Sequence, residues 1–170
     1  SAWALNEATV EKAARERMVE VVIEVDGRPL SRWGCDGVVC STPTGSTAYA
    51  FSAGGPVVWP EVEALLMVPI SAHSLFAPPM VVSPHSVLAI ELIVAPGTSG
   101  AVLWCDGRRK VDLPPGARIE VRRGALPVLL ARLQPPGARG SGFTDRLVAK
   151  FGLPVAGWRG RSGEDAGEHA

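Results

Sequence analysis

Along residues 18–33 apolar and polar positions follow a β-rich pattern that breaks at Asp26-Gly27. Such patterning on both sides of an Asp-Gly pair predicts two strands joined by a tight hairpin, because these residues accept the positive φ the turn requires. GVVCS, at 37–41, is a short apolar run and reads as a buried strand. Further strands are predicted near 65–70, 80–83, 86–95, 101–105, 108–113, 118–122 and 127–133, with Asp106-Gly107 as a second tight turn. Gly45–Ala53 predicts a short helix, with Ser46 as its N-cap and Gly54-Gly55-Pro56 as its stop. FTDRLVAKFGL predicts a second, amphipathic helix, with Thr144 or Asp145 near its start and Gly152 just past its end. Residues 1–10 are mildly apolar, and the charge-dense Glu11–Arg17 reads as a loop or a short helix. There is no internal repeat.

Many short strands and few helical patterns define an all-β, sandwich-like domain with a few short helices. With 170 residues, 46% of them hydrophobic, the chain is long enough for one domain with a sizeable core. Its 19 glycines and 15 prolines fit a chain of many turns. Residues 135–142 form a glycine-rich connector, and the last ten residues lack apolar content, which predicts disorder there. Lysine and arginine total 17, as do aspartate and glutamate, so there is no electrostatic footprint for nucleic acid or anionic lipid. No apolar run approaches the roughly 20 residues that span a bilayer, and no secretory signal is visible. The three cysteines, Cys35, Cys40 and Cys105, are odd in number and widely spaced, and the histidines sit at no ligand spacing. Reduced, partly buried thiols in a cytoplasmic protein are therefore expected, with no metal site.

The candidate chemistry gathers in CSTPTGSTAYAFSAGGP, residues 40–56. A Walker loop would need lysine after its last glycine, and Ser46 follows Gly45; GxGxxG and GxSxG are absent. What remains is a strand, a hydroxyl-rich turn and a helix start, which offer directional hydrogen bonds to a neutral polar or phosphorylated ligand. The same hydroxyls can instead be spent on local backbone groups as an ST-turn. Asn6-Glu7 places an amide and a carboxylate in an apolar setting, or a polar pair at a strand end. Asp36-Gly37 reads equally well as turn chemistry. His73 is expected to be a hydrogen-bonded core histidine.

Taken together, LNEAT (5–9), DGVVCSTPTGSTAYAFSAGGP (36–56), PISAHSLFAPPMVV (69–82), CDGR (105–108) and FTDRLVAKFGLPVAGWRG (143–160) resemble the C-terminal half of bacterial, actinobacterial-type NAD kinases. The resemblance covers nearly the whole chain except its tail. It implies an enzyme that phosphorylates the 2′-hydroxyl of the adenosine ribose of NAD to give NADP. It also implies an N-terminal α/β domain whose GGDGT motif supplies an aspartate as the general base or a metal-linked residue, a motif not found here. On that reading residues 1–142 are an all-β NAD-binding domain, 143–160 an extension packing toward the other domain, and 161–170 a tail. The family implies NAD-binding roles for Asn6, Glu7, Asp36, Thr44, Thr47, Ala48, Tyr49 and Ser52, with Arg17 and Arg108 held more loosely, and no catalytic residue in this chain. It further implies a divalent metal such as magnesium with ATP or inorganic polyphosphate as donor, and a homodimer or homotetramer assembled through the β-domain. Pro78 stands where many relatives carry arginine and Gly34 where some do, which bears on substrate preference. The competing readings are a stand-alone nucleotide-binding or regulatory module without kinase activity, and a distantly related diacylglycerol-kinase-type domain.

Overall fold

The computed structural model describes residues 1–15, 17–94, 100–129, 131 and 142–155. Ten strands form two antiparallel sheets: β1 (Glu7–Lys12), β2 (Val19–Val25), β3 (Arg28–Cys35), β4 (Gly37–Ser41), β5 (Leu65–Ile70), β6 (Met80–Val82), β7 (Leu88–Leu92), β8 (Ala101–Cys105), β9 (Arg109–Leu113) and β10 (Arg118–Val121). The six-stranded sheet runs β6-β5-β4-β1-β8-β9 and the four-stranded sheet β10-β7-β2-β3. The expected all-β sandwich is the fold observed.

Alternation produces the core. In β2, Val19, Val21 and Ile23 point inward and meet Val10 of β1, Val38 and Cys40 of β4, Leu65 and Met67 of β5, and Leu88 and Ile90 of β7. Trp33 of β3 is fully buried, and its indole Nε1 donates to the Phe76 carbonyl at 2.8 Å. All five residues of β4 are buried, because this strand has paired neighbours on both sides and is covered on both faces. Inside lies the sandwich core. Outside, Val39 and Val68 pack with Ala50 of α1 (Tyr49–Ser52).

Both Asp-Gly turns form, with positive φ at Asp26, Gly27, Asp106 and Gly107. The remaining differences have physical reasons. β1, which the sequence pattern did not predict, is a central strand paired to β4 and β8. Its outward positions are Glu7, Thr9 and Glu11, so the apolar signal comes from one face only. The predicted helix over 45–53 splits into a 3-10 turn, Thr44–Thr47, and the one-turn α1. Ser46 is not its N-cap. It is buried, and its Oγ accepts from the Val58 amide (2.9 Å) and donates to the Val58 carbonyl (3.1 Å). His73 is exposed rather than in the core, and only its backbone is engaged, the amide donating to the Gly34 carbonyl at 2.8 Å. Of the strand predicted over 127–133, residues 127–129 and 131 form none, and the rest lie outside the described residues.

The chain divides into two compact units, residues 1–129 and 130–170. In the second, α2 (Phe143–Phe151) begins where the Asp145 carboxylate accepts from the Gly142 amide at 3.0 Å, and ends at Gly152 with φ +59°. The predicted tail, 161–170, and Trp158 lie outside the described residues. Among the described residues no helix is long and apolar enough to cross a membrane. The three cysteines are buried and free; burial pushes the thiols of Cys35 and Cys40 up to about 12.

Candidate functional site

The outer face of the six-stranded sheet carries Glu7, Thr9 and Glu11 along β1, a polar row about 13 Å long at strand rise. The segment entering β1 is gripped from two directions. On one side the motif at 41–47 takes its carbonyls. Thr42 Oγ1 donates to the Leu5 carbonyl (2.8 Å), the Thr42 amide to the Asn6 carbonyl (2.9 Å), and Ser41 Oγ to the same oxygen (3.2 Å). On the other side the Asp106 carboxylate accepts from the amides of Leu5, Asn6 and Glu7. The approach of the 3-10 turn to Asn6 is close enough that Gly45 has no room for a side chain. A Cβ there would press into the Asn6 carbonyl and lie 2.6 Å from Ser41 Oγ.

The hydroxyls of the motif therefore divide. Ser41, Thr42 and Ser46 are spent on backbone groups, and the Gly45 amide donates to Thr42 Oγ1 at 3.1 Å, which is the ST-turn arrangement. Thr44 is exposed and Thr47 partly buried in the 3-10 turn, Ala48 is the joint to α1, and Tyr49 and Ser52 are exposed on α1.

Tyr49 connects the two carboxylates of β1. Its amide faces the Glu7 carboxyl and its phenol faces Glu11. Burial raises the phenol's pKa, helped by Glu11 and by the charge of Asp36. Glu7 is buried, and among the described residues its Oε2 has no hydrogen-bond partner. Desolvation raises the pKa of this carboxyl; the Tyr49 amide opposes the rise and the Asp106 charge adds to it. At the far end of β1, Asp36 pairs with Lys12 at 2.6 Å, both partly exposed.

The structure thus brings Asn6, Glu7 and the 44–52 segment together, with Asp36 at the other end of the strip. Arg17 and Arg108 are exposed in the loops after β1 and β8. Arg109, the neighbour of Arg108, is the arginine that reaches Asp106, at 2.8 Å. Sequence reasoning missed Glu11 and Arg109 as parts of this region, and gave Thr42 and Asp106, though both lie in the quoted motifs, no role of their own. Asp106 read as a tight turn and as part of the CDGR segment, with no partner assigned, since nothing local reveals one a hundred residues away. Among the described residues no group of three or more His, Cys, Asp or Glu could hold a metal ion, so these residues do not fit a divalent cation. A cleft of about 490 Å³ between Pro84–Val87 and Arg122–Pro127 is lined by none of the predicted site residues.

An all-β sandwich with a Ser/Thr-Gly turn packed against an Asn-Glu strand entry is the class these features define. Residues 5–133 match the ATP-NAD kinase C-terminal domain family, and the chain belongs to that family. It is 72% identical over 158 residues to NAD kinase 2 of Streptomyces avermitilis, covering 93% of this chain and 50% of that protein. It is 67% identical over 162 residues to the NAD kinase of Thermobifida fusca, covering 95% and 48%. Among solved structures, an NAD kinase from Archaeoglobus fulgidus in complex with ATP superposes with a TM-score of 0.65 at 35% identity, covering 73% of this chain and 47% of that one. Yeast NADH kinase complexed with NADH does so with 0.64 at 36%, covering 70% and 34%. The chain spans about half the length of the curated relatives it matches.

Proposed function

We propose that this chain is the NAD-binding domain of an enzyme that phosphorylates the 2′-hydroxyl of the adenosine ribose of NAD, giving NADP. The observation that carries the reading is the buried Glu7 carboxyl with its unpartnered Oε2, set beside Asn6 and the start of α1. A buried polar atom without a partner is costly, and a ribose hydroxyl would satisfy it. The strip's other charges, Glu11 and the Lys12–Asp36 pair, suit hydroxyls and exocyclic amines of a nucleoside better than phosphates. Asn6, Glu7, Asp36, Thr44, Thr47, Ala48, Tyr49 and Ser52 are the proposed NAD contacts, with Tyr49 adding ring surface; Arg17 and Arg108 are peripheral to them.

Phosphoryl transfer is mainly positioning and charge stabilisation of a loose transition state. This domain's part is to orient the ribose so that its 2′-oxygen lies in line with the donor. The general base, the donor and its divalent metal are assigned to the rest of the protein. ATP is favoured over polyphosphate by the family description and by the archaeal relative's complex with ATP. Exposed Leu30, Leu75 and Phe76 support a homo-oligomeric contact through the β-domain, and the extension 143–160, which contains the amphipathic α2, is proposed to pack toward the other half. Three free thiols suit a reducing, cytoplasmic setting.

NADP formation and NAD affinity of the full-length protein test the proposal. Wild type should form NADP from NAD and ATP, and the Asn6→Ala/Thr47→Val double variant should bind NAD at least about tenfold more weakly, the loss of one or two hydrogen bonds to the ligand. Equal affinity in both would remove the assigned pocket.

A further inference from the structure

Asp106 follows β8 and adopts φ +52°, a conformation an aspartate tolerates when its short side chain bonds locally. Here the side chain bonds across the sheet instead. Its Oδ1 accepts from the amides of Leu5 (3.0 Å), Asn6 (2.7 Å) and Glu7 (3.4 Å), and Oδ2 accepts again from Leu5 (3.0 Å). Its own amide donates to the Glu7 carbonyl at 2.9 Å. Arg109 Nη2 holds Oδ2 at 2.8 Å, and the same guanidinium lies 4.2 Å from the centre of the Trp3 ring. Residues 5–7 thus have their amides fixed from the β8–β9 loop, while Ser41 and Thr42 fix the carbonyls of Leu5 and Asn6.

We propose that Asp106 is a positioning residue for dinucleotide recognition: with Arg109 as its counter-ion, it gathers the Leu5, Asn6 and Glu7 amides and so sets where the Asn6 and Glu7 side chains meet the ligand. The inference rests on the reading that Asn6 and Glu7 contact NAD. It assigns Asp106 no contact with substrate. The chemistry is that of one anion receiving converging N–H donors, an arrangement no neutral side chain of the same size reproduces. Asparagine keeps the shape but offers a single accepting oxygen, and its NH2 faces amides that also donate. Burial pushes the Asp106 carboxyl up, but the three amides and then Arg109 hold it below the ordinary range, which agrees with an anion at this position.

The test uses the full-length protein with Asp106→Asn, Arg109→Met and Asn6→Ala. Hydrogen exchange is followed in the peptide spanning residues 3–9, and steady-state kinetics are measured for NAD and ATP separately. For Asp106→Asn the expected result is faster exchange in that peptide and a rise in KM for NAD of about ten- to a hundredfold, with KM for ATP within about twofold of wild type. Arg109→Met should move both readouts the same way by less. A merely structural role would lower the active fraction and leave KM for NAD where it was. Unchanged exchange at residues 3–9 in Asp106→Asn overturns the proposal. So does faster exchange with an unchanged KM for NAD, provided Asn6→Ala raises that KM. If Asn6→Ala leaves it unchanged too, the dinucleotide reading itself has failed and the positioning role falls with it.

Discussion

A carboxyl group taken off the surface of a sheet loses hydration that a single amide donor only partly replaces. Glu7 is in that position, with the Tyr49 amide on one side and no partner for Oε2. Its raised pKa has a definite consequence for stability. The native state holds this proton more tightly than the unfolded chain does. The contribution is therefore fully present below about 4.5, the ordinary value, and is lost as pH rises through the raised native value. Glu7→Gln removes the ionisation and keeps an oxygen for the Tyr49 amide. The variant should melt higher than wild type at pH 8, with the gap closing toward pH 4.5, while its NAD affinity falls. Thermal melts across that range check the sign. A wild type that melts higher than the variant at pH 8 would contradict the account of a desolvated carboxyl.

At the scale of elements, the site depends on how a 3-10 turn packs against the entry to β1. Neither piece is stable by itself: the turn is four residues long and α1 another four. They are held by the Ser41 and Thr42 hydroxyls donating to the Asn6 and Leu5 carbonyls, and by Ser46 reaching Val58. Gly45 permits the contact because it adds no Cβ. In Gly45→Ala the new methyl would meet backbone and Ser41 Oγ rather than a yielding side chain. The expected cost is at least about 1–3 kcal/mol of stability. Denaturant unfolding would measure it, together with a loss of NAD affinity as Asn6 is displaced. An alanine variant that unfolds at the wild-type midpoint would mean the turn can move away from β1 freely.

For the first unit as a whole, the sandwich buries all three thiols. Cys40 and Cys105 both face Ala8 from neighbouring strands, and Cys35 closes the β3 end of the second sheet. Buried thiols with raised pKa values are poor nucleophiles, since the thiolate is the reactive form. In the native protein at pH 8, Cys35, Cys40 and Cys105 should not react with a disulfide reagent over minutes, and all three should react in denaturant. Mass mapping of the labelled peptides checks this. Rapid labelling of Cys40 without denaturant would show that the two sheets part readily.

Strand content, both Asp-Gly hairpins and the identity of β4 were legible because each rests on local chemistry: alternation, a glycine at positive φ, a run of apolar residues. The motif at 40–56 stood out for a similar reason, its residue types being wrong for both core and solvated loop. β1 was not legible. A strand whose outer face holds Glu7, Thr9 and Glu11 looks like a charged loop until its neighbours on both sides are known. Ser46 likewise had every local qualification for a cap, and tertiary packing gave it to Val58 instead. The hairpins, the buried strand and the small-residue turn were thus determined by the amino-acid sequence alone. Which hydroxyls bond backbone groups, which carboxyl oxygen is left without a partner among the described residues, and that Asp106 gathers the amides of residues 5–7 were decided only by the tertiary structure. These depend on pairings between segments far apart in the chain, and no local preference encodes the partner.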